Sequence, residues 1–540
     1  MIAIALGLRL GRWGLAGFSL AGLVSTLIST LAFYQVAGHT PAERAAFGQS
    51  MTRLAAQFVA LLPPPVQPET VGGYIEFRGF HPLAILFTVW ALASATAFVR
   101  ADEERGIVEA ALAAGIARIS LIAARTACFA IAVAVASTVA ATGFLIGVAL
   151  GHESVELRGV IEESALLASI GLACYALSLL VAQLTAARIA TAAAGVLLLA
   201  LFFVNSLGRE FDWLSGWRRI SPFWYYDLSQ PLPPGGHFDT GGVAALLAIA
   251  IAATGAAAVI FALRDLGAPL VRVPVSRDRP SLSATATPLW TIPVVRGIYE
   301  HRGGLLVWCA GMTALAVLFV SLTKTIVQVL LSLPAVLPYL SLLVRQQVYP
   351  AVLGYTWFNV AQLLFAALAI AYVARWSAED TDGRLEMMLS EPFSRAAIVI
   401  ERMAVLVVGG LLIAAVSAGA VYFASRSQGI ELNIGRLAIA SLMLVPFALV
   451  FAGAGSMLAA WNPRAAVGVL GGLAFASYLD NELGAIFNLP LWLRDLSAFT
   501  LFGTPLVNGI DARNLTLMLL LALAGVATSI LFMQRRDVGA

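Results

Sequence analysis

Long apolar runs broken by short polar segments set the pattern of this chain. A membrane-spanning helix needs roughly 20 mostly apolar residues, and runs of that kind predict helices at about 13–36, 80–100, 126–149, 163–184, 187–207 and 241–263. A second series is expected at about 304–326, 352–374, 403–423, 436–460, 465–482 and 514–533. The two series flank a polar stretch at 265–300, where Pro269, Pro274, Pro280 and Pro288 stand among Arg, Ser and Thr and disfavour helix. The expected fold class is all-α and polytopic, with about 12 transmembrane helices in two parallel six-helix repeats. Residues 1–264 would form the first half, 265–300 a linker and 301–540 the second half. Arg9 and Arg12 precede the first run, which reaches Val36 and exceeds the roughly 7–15 residues of a signal-peptide core, so it reads as a retained anchor.

The polar breaks themselves repeat. Glu103, Gly106, Glu109, Leu112, Arg118 and Arg125 recur 277 residues later as Asp380, Gly383, Glu386, Leu389, Arg395 and Arg402. Elsewhere Gly73-Tyr74 with Phe77 returns as Gly354-Tyr355 with Phe358, and Asn205 with Leu207-Gly208 returns as Asn481 with Leu483-Gly484. Arg188 and Arg464 head those two asparagine-bearing runs, and Arg264-Asp265 and Arg536-Asp537 close the halves. An even number of spans per half gives both copies one orientation.

Between the second and third runs of each half, Gly106–Gly115 and Gly383–Pro392 enclose about two turns of helix, bounded by residues that disfavour continuation. Val108, Ala111 and Leu112, or Leu385, Met388 and Leu389, share one face at i, i+3 and i+4, which predicts a short apolar knob in each half. Glu109 and Glu386 stand at its edge, placed to pair with a partner's arginine or with Arg118 or Arg395. Glu103, Glu104 and Asp380 add acidic character just before it. An isolated helix of this type would rest on lipid headgroups. A duplicated one fits a two-fold repeated partner.

Composition sharpens the class. At 60% hydrophobic and 12% charged, the chain is far from the soluble balance, in which about 25% of residues are charged. Arginine sets orientation, since Lys324 is the single lysine, and its distribution places both termini in the cytosol with the acidic stretch Glu153–Glu162 opposite. Arg44, Arg53, Arg209, Arg218 and Arg219 are among the exceptions. A net charge of +3 with no basic patch makes nucleic acid an unlikely partner. Cys128, Cys174 and Cys309 lie inside apolar runs and read as core residues, not as disulfide or zinc ligands. Lys324 follows no glycine loop, so no nucleotide site is expected. Neither a catalytic constellation nor an intramembrane carboxylate pair is legible.

Six spans per half, a Gly-x-x-Glu-x-x-Leu segment between the second and third, and no ATPase resemble a type-2 ABC transporter permease. The fused double length is similar to actinobacterial-type exporters of polyketide antibiotics such as tetronasin. The resemblance implies that 103–118 and 380–395 are coupling helices seated on two copies of an ABC ATPase subunit, with secondary contacts near Arg188 and Arg464. ATP and Mg would be used by that partner, no cofactor by this chain. It implies a bacterial plasma-membrane exporter of a small amphipathic, drug-like molecule. The path would lie between the halves, along the first, second and fifth spans of each, with Asn205, Asn481, Tyr34, Trp90, Phe203, Trp357, Tyr372 and Tyr478 as candidates; each aromatic also suits ordinary helix packing. Segments 41–62 and 327–346 either cap its exit or rest on lipid. The alternative is a major-facilitator-like secondary transporter driven by an ion gradient, although no buried ladder of ionisable residues is legible for it.

Overall fold

The computed structural model describes residues 2–38, 40–55, 63–104, 106–209, 211–266, 292–331, 348–381, 384–390, 394–483 and 490–536. Their contacts divide the chain into two units, Met1–Arg277 and Asp278–Ala540. In the first, α1 (Ile2–Val36) and α2 (Pro41–Ala55) lead to α3 (Val71–Val99), the short α4 (Ile107–Ala113) and α5 (Arg118–Leu150). Then come α6 (Leu157–Leu184), α7 (Ala187–Leu207), the short α8 (Pro222–Asp227) and α9 (Thr240–Leu263). The second unit follows the same order: α10 (Pro293–Leu331), α11 (Val348–Thr381), the short α12 (Arg384–Leu389), α13 (Arg395–Ser427) and α14 (Ile434–Trp461). It closes with α15 (Pro463–Leu483), the short α16 (Ala498–Phe502) and α17 (Ala512–Arg535).

Among the described residues, 11 helices are long and apolar enough to cross a bilayer, and the protein is an all-α polytopic membrane protein. The twelfth expected run, 465–482, folds as the 21-residue α15, within which Ala465–Tyr478 is a shorter apolar helix. The observed helices outrun the apolar segments because polar caps extend them. Thr70 accepts the Gly73 amide and starts α3 well before residue 80. Asp239 and Asp511 cap α9 and α17, each accepting two amides of the first turn, and there the helix starts close to where the apolar run begins. The expected linker is also shorter than 265–300: residues 293–300 already form the start of α10, with proline at its head, and Val294 and Ile298 pack on the core. Residues 267–291, 56–62 and 332–347 lie outside the described residues.

Packing repeats along with order. In the first unit α1 lies along α5, α3 against α6 and α6 against α9; in the second α10 lies along α13, α11 against α14 and α14 against α17. Lipid offers no hydrophobic drive between helices, so close approach through small residues carries the association. At the α14–α17 crossing, a Cβ on Gly525 would stand 2.5 Å from the Gly453 carbonyl carbon, and one on Gly453 would stand 2.7 Å from the Ala522 oxygen. A turn further on, Ser456 donates to Ser529 at 2.6 Å in the same seam.

The units differ in one backbone respect. Phe77 precedes Asp102 by 25 residues, whereas the matching Phe358 precedes Glu379 by 21. The surplus is about one α-helical turn, and the first unit carries π-type turns at Glu76–Phe80 and Ala97–Ala101 where α11 is regular. Such turns absorb extra residues and concentrate at functional places.

Gly525→Leu is expected to force α14 and α17 apart and to destabilise the second unit by roughly 1–3 kcal/mol or more. Thermal unfolding of the detergent-solubilised protein checks this, with the exposed Gly468→Leu, whose Cβ would meet no atom within 4 Å, as the neutral control.

Candidate functional site

The repeated polar segments fold into one corner per unit. Gly106 and Gly115 take positive φ, +71° and +85°, and turn the chain into and out of α4, a geometry that favours glycine. The orientation of α4 reverses the expectation of an outward knob. Val108 and Ala111 are buried and Leu112 is half-buried; Val108 and Ala111 stand beside Phe98, Ile116, Leu121 and Arg125 of their own unit. Leu385 of α12 is likewise buried, with Met388 and Leu389 half-buried, against Ile398, Val399, Ala460 and Met533. Periodicity identifies an apolar face, and here the chain's own helices cover it. The exposed face carries Glu109 and Ala110 in the first unit, and Glu386 and Met387 in the second.

Behind each short helix lies the same clamp. A helix end leaves carbonyls without intrahelical partners, and one guanidinium gathers them. Arg118 donates to the carbonyls of Phe261, Ala262 and Arg264 at 3.1, 3.4 and 2.7 Å. Arg395 donates to those of Met533, Gln534 and Arg536 at 2.5, 3.4 and 2.7 Å. The closing arginine then pairs back: Arg264 with Glu103 and, at 2.8 Å, with Gln183; Arg536 with Asp380 at 2.5 Å. Asp102–Arg125 at 2.9 Å and Glu379–Arg402 at 2.8 Å complete the corner. Glu103, Asp380, Arg118 and Arg395, expected at a docking surface, are thus engaged inside their own units, and no pair joins Glu109 to Arg118 or Glu386 to Arg395 among the described residues. Gly383 and the side chains of Glu104, Arg188 and Arg464 lie outside the described residues.

The candidate path residues do not converge within either unit. Trp90 is buried, stacks on Phe18 at 4.8 Å and walls a cavity of about 390 Å³ with Phe98, Phe129 and Tyr175. Gly7, Gly11 and Gly14 of α1 form another wall, and Asp102 and Arg125 line it too. This cavity is bounded by the first four spans of the unit, not by the first, second and fifth. A Cβ at Gly7 would meet Cys128 Sγ at 2.6 Å and one at Gly14 would meet Trp90 at 3.1 Å, whereas one at Gly11 meets nothing within 4 Å. Tyr34 packs edge-on to Phe33 at 5.5 Å, and Phe203 is exposed beside Phe202. Trp357 is buried near Phe319, Tyr372 stacks on His301 at 5.1 Å, and Tyr478 meets Phe499 at 5.5 Å. The two asparagines occupy matched positions in unlike settings. Asn205 is buried, donating to Asp227 at 2.6 Å and accepting from Arg218 at 3.3 Å. Asn481 lines a cavity of about 360 Å³ with Tyr355, Phe358, Asn359, Gln362 and Phe499.

The structure also holds the carboxylate pair that the sequence did not disclose. Glu76 of α3 and Glu163 of α6 are both buried at the end of the first unit opposite α4. Tyr226 of α8 donates to Glu163 at 3.1 Å, and burial first, then the charges of Glu163 and Glu76, raise its phenol well above the usual range. Both acids stand early in their helices, where a charge reads as a membrane-edge residue. The available signal was the repeat itself, which has Trp357 at the position of Glu76 and Gln362 at that of His81.

Two helical units of one order, each with a short helix clamped at the same corner and helices fit to span a bilayer, define a duplicated permease-type membrane protein. The chain belongs to the family described as multidrug efflux system permease Rv1217c, C-terminal domain, which matches residues 2–262 and 297–533. It is therefore a multidrug efflux permease. No curated protein matches the chain.

Burial separates the two clamps: Arg264 and Glu103 side chains are 2% and 3% exposed, Arg536 and Asp380 29% and 11%. Arg264→Ala, which removes the ion-pair partner of a buried carboxylate, is expected to cost about 3–5 kcal/mol, and Arg536→Ala about 1 kcal/mol; chemical denaturation in detergent compares them. Gly11→Leu is expected to leave stability unchanged while filling the first cavity, so drug efflux from cells expressing it falls at equal protein level.

Proposed function

We propose that this permease is the membrane subunit of an ATP-binding-cassette exporter, which moves a hydrophobic or amphipathic small molecule outward across the bacterial plasma membrane. The chain itself binds no nucleotide. ATP and Mg are used by two copies of a separate ATPase subunit, one on each short-helix corner, and both termini are cytosolic. The observation that carries the reading is the duplicated corner: α4 and α12 each present an exposed glutamate while their apolar residues lock them to the unit. A surface element fixed to two spanning helices transfers force to them, and a repeated one suits a repeated partner. Membership of a multidrug efflux family supports the cargo class. In this reading the exposed carboxylates, not the buried leucines, meet the ATPase, and charge-assisted hydrogen bonds to arginine are the expected contact. ATP binding then needs only a differential affinity for two arrangements of the permease to drive access.

Co-expression with the ATPase encoded beside the gene, followed by affinity purification and reconstitution, tests the reading. The expected outcome is a stoichiometric complex whose transport requires ATP. Transport by the purified chain alone under an ion gradient would overturn it in favour of secondary transport. Glu109→Ala with Glu386→Ala is expected to lower ATP-dependent efflux at least about tenfold, the loss of two charged contacts of roughly 1 kcal/mol each, with the unfolding midpoint unchanged because both side chains are exposed.

A further inference from the structure

The end of the first unit remote from α4 contains a group of ionisable side chains that transport by the corner does not use. Glu76 Oε1, Glu163 Oε2 and His81 Nε2 are buried without a hydrogen-bond partner. Their other polar atoms are engaged: Glu76 Oε2 accepts the Leu232 amide at 3.0 Å, Glu163 Oε1 accepts from Tyr226 at 3.1 Å, and His81 Nδ1 lies 2.7 Å from the Glu76 carbonyl. The surrounding charges are assigned elsewhere. Arg209 pairs with Asp227, whose other oxygen is 4.0 Å from His81 Nε2. Arg218 donates to Asn205, while Arg158 pairs with Glu162 on the exposed side of α6 and Arg78 is exposed on α3. His237, across the short bridge to Gln230, is exposed. Among the described residues no cation pairs with Glu76 or Glu163. Two buried carboxylates without a counter-ion do not both stay ionised, and a protonated one supplies the O–H donor that an orphaned oxygen lacks.

We propose that Glu76 and Glu163 form a proton-binding site that holds one proton between them at neutral pH and thereby secures the 228–237 segment over this end of the unit. The segment is seated for such control. Its backbone fits where side chains are missing: a Cβ on Gly72 would lie 2.1 Å from the Leu232 oxygen, and one on Gly159 would lie 2.3 Å from the Pro231 oxygen. Glu76 holds the amide of Leu232 at the centre of that seat. The proton is the ligand that fits: the prolines at 63–65 and Pro233 close over Glu76 and His81, and among the described residues no group of three or more His, Cys, Asp or Glu side chains could hold a metal ion. Removal of the proton places two negative charges in the seat, and opening the segment to water relieves them. The site is particular to the first unit and independent of what powers transport.

Infrared difference spectroscopy of the full-length protein in nanodiscs, titrated from acid to alkaline pH, tests the site directly. The expected result is a carboxylic-acid carbonyl band present at neutral pH, lost on alkalinisation, and missing from Glu76→Gln and Glu163→Gln. Hydrogen–deuterium exchange on the wild-type protein gives the second readout and requires no variant. Corrected for intrinsic rates, protection of 228–237 is expected to fall about tenfold per pH unit while the closed segment holds a proton that the open one has lost, and to level off once the closed form has released it too. A spectrum without a titrating acid band, a band unchanged in both variants, or protection independent of pH would overturn the proposal.

Discussion

The last helix of each unit ends in carbonyls that no further turn can satisfy, and the structure depends on how those groups are met. One arginine from the start of the third spanning helix reaches three of them in each unit. Because that arginine follows the short helix by a few residues, closing the helix end also fixes the short helix. The closing arginine returns to the acidic residue at the end of the second span, so the ends of three spans meet at one polar knot. Part-buried carbonyls left without a partner cost about 1–3 kcal/mol each, so the knot stabilises the end of the last helix.

Much of this was present in the sequence as spacing and little of it as meaning. The 277-residue repeat picked out Glu103, Arg118, Arg125 and their counterparts, and each forms part of the knot. What spacing does not carry is the partner: Arg264 lies 161 residues from Glu103, and nothing local to either marks the pair. The apolar faces of α4 and α12 were legible as faces, but periodicity does not tell whether a face meets a partner or the same chain. Two helix starts differ from the apolar runs for a related reason. Hydropathy reports the apolar span, whereas caps at Thr70 and Ser394 decide where the helix begins.

The units share a scaffold and diverge at the end remote from the knot. There the first unit buries Glu76, His81, Glu163, Asn205 and Tyr226, while the second has Trp357 and Gln362 at the first two positions, with Trp357 buried. The divergence coincides with a turn of extra helix and two π-type turns in α3, one of which begins at Glu76 itself. A π-type turn rotates the residues after it relative to those before, and so allows Glu76 and His81 to face the 228–237 segment of their own unit. The two units thus share one fold, and the longer α3 goes with the polar end of the first.

A rigid corner and a polar far end have different mechanical consequences. Since Val108 and Leu385 anchor the short helices from within, a load applied to their exposed glutamates is borne by the α4–α5 and α12–α13 corners and not by a loose surface segment. The arginine that caps α9 or α17 passes the same load to the last span, so two helices of a unit move together at that end. At the other end of the first unit the 228–237 segment is held both by a hydrogen bond and by apolar packing: Glu76 accepts the Leu232 amide, and the Leu232 side chain belongs to the core. The first unit is therefore fixed at one end by the arginine clamp and at the other by buried polar contacts together with apolar packing, and the polar contacts are the part that protonation changes.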